Sequence, residues 1–426
     1  MRTVGFGLFA VEVINHSSDM DFFSRIFRGD KVIWGIFISL CIISLLAVFS
    51  ATSTLTYKHM NHWGPILRHA FFLIIGIFCV IFIQRTPTRF FSGLILILGA
   101  SIFLLVVALA FGQDVNGAQR WIGIGGFTIQ PSEFAKISLI GTIAFLLSKQ
   151  KEENQNTLFY WMIGVIAFTC GLIVTENLST AVLVFSVCFI MMFIGQVQIR
   201  KLLMICVVGL VALVLLLATI KIIPEKSLPD RFTTWKARID RFSTGKEAET
   251  FSEPKYVTVN GKKVEYEITD ENFQVSHAKI AISNGYKVIG LPGSGVERDF
   301  LPQAYSDFIF AIIIEEIGFV GGLVVLVLYF FLLIRGGILA SKCPKLFPKY
   351  LILGLTTMLV IQALMNMAVA VNLIPVTGQP LPLISRGGTS TIITCIYFGM
   401  ILSCSNLKDE MPDASVDEDI ANVAYE

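Results

Sequence analysis

Apolar residues in this chain come in long unbroken runs, not in the alternation of a strand or the stripe of a surface helix. The runs fall near 32–54, 65–84, 90–112, 131–148, 158–175, 180–196, 202–223, 307–334, 350–374 and 387–405. A hydrocarbon core is crossed by about 20 helical residues. The pattern therefore predicts an all-α polytopic membrane protein of about ten transmembrane helices, with a large extracytoplasmic loop between helices 7 and 8. The expected divisions are an N-terminal segment 1–30, helices 1–7 over 31–223, the loop 224–306, helices 8–10 over 307–406 and a tail 407–426.

Composition agrees. Apolar residues are 54% and charged residues 15%, and the mean hydropathy is +0.73, whereas soluble domains carry roughly 25% charged residues. The net charge of +2 is scattered over short loops, so no nucleic-acid partner is indicated. Seven of the eight cysteines lie in or at the ends of apolar runs and Cys343 lies in a basic loop. Neither they nor the five histidines show disulfide or metal spacing. Residues 1–19 resemble neither a span nor a cleavable leader and read as dispensable, with Met20 as an alternative start.

Lys and Arg set the expected orientation. Arg25, Arg28, Lys31, Arg85, Arg89, Lys149, Lys151, Arg200, Lys201, Arg335, Lys342, Lys345 and Lys349 fall in loops on one side, against Lys58, Arg120 and Arg386 on the other. Both termini are then cytoplasmic, and the acidic tail after Lys408 is solvated. The segments 113–130, 224–306 and 375–386 lie outside. In the largest of these, Phe232, Trp235, Ile239 and Phe242 recur at helical spacing among Arg231, Lys236, Arg238 and Arg241, as in a basic helix lying in the headgroup layer. Further on, alternating residues flank Asn260-Gly261, a strong hairpin signal.

Three constellations can carry chemistry. In NGAQRWIGIGGFTIQPSEFAK, Gln130-Pro131-Ser132 opens a helix on which Glu133 and Lys136 share a face. Charges at bilayer depth are costly, so the two are expected to be paired inside the bundle, as a structural link or as a contact to substrate. Arg120 suits bidentate binding of a phosphate. In LPQAYSDFIFAIIIEEIG, Asp307 stands at the lip of an apolar helix, where it either caps the helix or does chemistry. Glu315 and Glu316 are expected two turns deeper, in a buried network. In IPVTGQPLPLISRGGTSTI, prolines and glycines break the backbone, and Ser385, Arg386, Gly387 and Gly388 can present amides and a cation to an anionic headgroup.

These segments, GAQRW with QPSEFAK, LPxxxxDFIFAxxxEExG and PVTGxPLPLISxGGTS, resemble the signatures of the SEDS family of FtsW, RodA and SpoVE, in the family's order and over nearly all of residues 31–406. The resemblance implies a ten-helix membrane bundle, glycosyl transfer on lipid II with release of undecaprenyl pyrophosphate, and Asp307 as the family's essential aspartate. It also implies a class B penicillin-binding protein and other division proteins as partners. PLPLIS and TWKARIDRF are nearer the division protein FtsW than the elongation polymerase RodA. The chain departs from the family at Gln303, Tyr305 and Ser306, at Glu176-Asn177-Leu178-Ser179-Thr180 and at Arg386.

The expected reaction is an inverting glycosyl transfer with Asp307 as base. Cations for the diphosphate are available at Arg120, Lys279, Arg298 and Arg386, with Lys136, Glu133 and the 385–388 segment around the substrate. No cofactor is required by this chemistry; a divalent cation, Mg or Mn, stays open. A lipid II flippase and a scaffold for a partner synthase are the competing classes, and a polymerisation assay separates them.

Overall fold

The computed structural model describes residues 27–51, 64–115, 118–124, 127–222, 255–259, 262–266, 273–286, 290, 295, 297 and 306–406. The first seven apolar runs form α1 Lys31–Ala51, α2 Gly64–Ile83, α3 Leu94–Phe111, α4 Pro131–Ser148, α5 Gln155–Glu176, α6 Leu178–Ile194 and α7 Ile199–Ile222. A 3-10 turn, Thr88–Gly93, leads into α3. Then come α8 Phe273–Asn284, α9 Ile309–Ile317, α10 Phe319–Lys342, α11 Leu346–Ala370 and α12 Gly388–Ser405. Eight described helices are long and apolar enough to cross a membrane; α6 is apolar but has 17 residues. This is a multi-pass membrane protein.

The three least apolar of those eight helices, α4, α11 and α12, are also the three most enclosed by protein. Their spanning windows are 78, 72 and 67% buried, against 22% for α2 and 28% for the stretch holding α3. Lipid is as apolar as leucine and exerts no pressure to hide apolar side chains. Polar groups are what must be hidden, so the polar helices form the centre.

Strand content is small. Gln113–Val115, Ala118–Ile124 and Phe127–Ile129 (β1 to β3) form an antiparallel meander between α3 and α4, which the apolar pattern does not predict. Lys255–Val259 and Lys262–Tyr266 (β4 and β5) pair antiparallel with Val259 opposite Lys262. That register leaves two residues, Asn260-Gly261, between them, as the hairpin signal requires. The expected basic helix over 230–242 and the terminal segments lie outside the described residues.

The eighth apolar run corrects the expectation of one continuous span. It is two helices, α9 and α10, joined at Gly318, whose φ of 88° and ψ of 178° suit glycine alone. In a straight helix residues 310 and 322 would stand about 18 Å apart. Here a Cβ on Gly322 would lie 2.7 Å from Ile314 Cγ1 and 3.5 Å from Phe310 Cζ. The chain thus turns sharply at Gly318, and α9 lies alongside the start of α10. Glu315 and Glu316 stand about two turns along from Asp307, but in the short arm α9 and not in a full span. They sit against α8 and the residues after it.

Candidate functional site

The site forms where the non-helical segment 374–388 enters the bundle. Backbone at membrane depth has no water to bind, so each of its polar groups needs a protein partner. Helices α1, α10 and α11 supply them, with Asn177 at the junction of α5 and α6. The carbonyl of Thr377 accepts from Asn177 Nδ2 at 3.4 Å, that of Gln379 from Asn366 Nδ2 at 2.8 Å, and that of Pro380 from Gln362 Nε2 at 3.0 Å. The Pro382 carbonyl accepts from the Tyr329 hydroxyl, and that of Ile384 from Ser44 Oγ at 3.1 Å. Ser44 spends its one proton there, which makes His69 Nε2 the donor in its 2.7 Å contact with Ser44. Gln379 adds a bond from Nε2 to Thr180 Oγ1, 2.7 Å. Gly378, with φ of 70°, makes the turn between Thr377 and Gln379.

Asp307 stands next to this segment, half-buried, one residue before the flank of α9. No side chain caps α9, whose flanking residue is Phe308, so Asp307 does not serve as its cap. Its carbonyl accepts from Asn366 Nδ2 at 2.9 Å. The preceding carbonyl, of Ser306, accepts from Ser385 Oγ at 2.6 Å, while Ser385 Oγ takes the N–H of Leu381 at 2.8 Å. Ser306 Oγ donates to Asp307 Oδ1 at 2.9 Å, and Oδ2 is turned toward Gly378, 3.8 Å from where a Cβ would stand.

Below it lies the charged pair on α4. Pro131 opens the helix, and Gln130 Nε2 donates to Ser132 Oγ at 3.0 Å. Lys136 Nζ meets Glu133 Oε1 at 2.7 Å and reaches Gln362 Oε1 at 3.4 Å. Lys136 is 1% exposed and Glu133 8%. Gln362 therefore links the ion pair to the Pro380 carbonyl, and Asn366, four residues on along α11, links the same segment to Asp307. Asp307, Ser385, Glu133 and Lys136 are thereby joined through α11.

Arg386, Gly387 and Gly388 follow, half-buried, and lead into α12. Lys279 does not join the cluster; it is exposed on α8, whose buried residues are Ser276, His277, Ala278 and Ala281. Arg298 and the side chain of Arg120 lie outside the described residues, although the Arg120 backbone belongs to β2.

A second polar cluster joins α8 to α9. His277 Nδ1 bonds Glu297 Oε2, while Glu315 Oε1 accepts from the Glu297 N–H at 3.0 Å and from Asn284 Nδ2 at 3.2 Å. A Cβ on Gly295 would come within 2.8 Å of oxygens of both Glu315 and Glu316, so the two carboxylates converge on Gly295.

Sequence reasoning missed Gln362, Asn366, Gln379 and Thr180. The signal for the first two was present: amide side chains four apart on one face of an apolar helix are costly unless used.

Comparison with known proteins decides the family. A family model described as a cell cycle protein, that of FtsW, RodA and SpoVE, matches residues 30–410. The chain belongs to the FtsW/RodA/SpoVE family. Stage V sporulation protein E of Bacillus subtilis is 30% identical over 379 residues, covering 85% of this chain and 93% of that protein. A probable peptidoglycan glycosyltransferase FtsW of Pseudomonas fluorescens is 28% identical, covering 84% of each. Among solved structures, a chain of a peptidoglycan synthase complex coordinating polymerization and crosslinking is similar at a TM-score of 0.67 and 25% identity, over 90% of this chain and 99% of that one. The rod shape determining protein RodA of Thermus thermophilus gives 0.61 at 24% identity, over 90% and 98%. The site described above thus sits in an FtsW/RodA/SpoVE scaffold.

Proposed function

We propose that this protein is an inverting peptidoglycan glycosyltransferase that polymerises lipid II at the outer face of the cytoplasmic membrane. The observation that carries this reading is Asp307: a carboxylate at a helix start that caps nothing, its backbone held to the broken 374–388 segment, in a scaffold of this family. The 4-hydroxyl of one sugar attacks the anomeric carbon of the other. Asp307 takes the hydroxyl proton as the new C–O bond forms, which typically contributes 10²–10⁴-fold. The anomeric bond to the diphosphate breaks, and undecaprenyl pyrophosphate leaves with both electrons of that bond. Inversion needs no covalent enzyme intermediate.

Arg120, Arg298 and Arg386 are the cations assigned to the diphosphate, while Lys279 stands apart on α8. Lys136, Glu133, Ser385, Gly387 and Gly388 shape the substrate side. Mg or Mn at the diphosphate stays open, and no step is routed through either. The partner is a class B penicillin-binding protein, the setting is septal wall synthesis with other division proteins, and both termini face the cytoplasm.

The test is polymerisation of lipid II by the purified protein with and without its co-purified partner, read as a glycan ladder on a gel. The pair should make polymer and the isolated chain much less. Lipid II translocation without polymer would assign the protein to transport instead.

A further inference from the structure

We infer that Asn366 is the positioning residue that sets the catalytic aspartate. The inference rests on the functional reading above. Asn366 is 1% exposed in α11 and spends both protons of its amide, one on the Asp307 carbonyl and one on the Gln379 carbonyl. These bonds fix the amide's orientation, because the reverse setting would aim Oδ1 at two carbonyl oxygens. Among the described residues, Oδ1 has no hydrogen-bond partner. An apolar side chain of similar volume would spare the buried Oδ1 but leave the Asp307 and Gln379 carbonyls without these donors. What Asn366 supplies is those two donors.

What those donors hold is specific. Like α4, α10, α11 and α12, α9 starts without a side-chain cap. The backbone of Asp307 is fixed from outside instead, by Asn366 on its own carbonyl and by Ser385 on the carbonyl before it. Ser306 then restrains one carboxylate oxygen. Asn366 also ties the aspartate to Gln379, so the base and the 374–388 segment move as one body. A displacement of about 1 Å at a catalytic group costs on the order of 10²-fold in rate. Asn366 acts through Asp307 and touches no reacting atom.

The experiment compares wild type, Asn366→Ala and Asn366→Leu, each co-purified with the partner and titrated with lipid II. Alanine leaves space and leucine fills it, so either variant that runs as one monodisperse species serves. The expected result is a kcat lower by about 10²-fold, with the half-saturating lipid II concentration within about threefold of wild type. A structural residue would instead lower the unfolding temperature and yield while leaving kcat per folded molecule unchanged. A monodisperse variant with kcat within about threefold of wild type overturns the inference and leaves the functional reading standing. No polymer from the wild-type pair overturns both.

Discussion

The two ends of the bundle treat an aspartate in opposite ways. At one end, Asp30 caps α1: its Oδ1 accepts from the N–H groups of Val32 and Ile33 at 3.1 and 3.0 Å. Arg335 closes on the same carboxylate with Nε at 3.0 Å and with Nη2, and Ser405 Oγ takes the Asp30 N–H at 3.0 Å. At the other end, Asp307 leaves α9 uncapped, and the surrounding side chains spend their donors on backbone carbonyls. Unsatisfied acceptors also gather there, at Asn366 Oδ1 and Gln379 Oε1. A carboxylate engaged like Asp30 is a structural clasp. Around Asp307 the side chains of Asn366 and Ser385 hold backbone carbonyls, which ties the residue to the 374–388 segment.

The largest effect should come from Asp307→Asn, which keeps size but cannot take a proton. Polymer should fall by at least about 10²-fold in the purified pair, with unfolding temperature and partner binding unchanged. Near-normal polymer would erase the contrast between the two ends. Next, Lys136→Met strands Glu133 in the core and should cost about 3–5 kcal/mol, while Lys136→Met with Glu133→Gln recovers most of it. Unfolding in detergent reads both. A double variant no more stable than the single would show that the pair does more than balance charge.

Gly318→Ala forces a side chain into a glycine-only conformation and should cost about 1–3 kcal/mol. The clasp end should respond less. Burial tends to raise the Asp30 carboxyl, but the Arg335 hydrogen bond and the Ile33 and Val32 N–H groups outweigh it and hold it below its ordinary 3.8. A lowered carboxylate stabilises above its unfolded value, so this contribution should drain away as pH falls below 3.8 through the lowered value. Arg335→Gln should flatten that slope, at under about 1 kcal/mol near neutrality. Smallest of all, removing the β4–β5 hairpin should leave polymerisation unchanged, since β4 and β5 pair with each other and carry none of the residues assigned to the site.

Much of this was legible beforehand because lipid imposes a length and forbids unpaired backbone. The apolar runs located the first seven helices within a few residues, Pro131 marked the start of α4, and Asn260-Gly261 marked the hairpin. The break at Gly318 was not legible, because apolar residues continue on both sides and one glycine does not report its φ. α8 escaped because its sequence is mixed and its partners, Glu315 and Glu316, are distant in the chain. The roles of Asn366 and Gln379 depend on carbonyls, which every residue carries and no sequence pattern displays.

The turn at Gly318 has a consequence for biosynthesis. Residues 309–342 leave the ribosome as nearly continuous apolar chain, yet only α10 has the length of a crossing. The short arm α9 carries Glu315 and Glu316 and packs against α11, which is translated after it. Until α11 is inserted, the Asp307 carbonyl lacks its Asn366 donor, and an unpaired carbonyl in lipid is costly. Assembly therefore runs out of chain order: α10 crosses first, and the arm bearing Asp307 settles only after the next helix arrives to receive it.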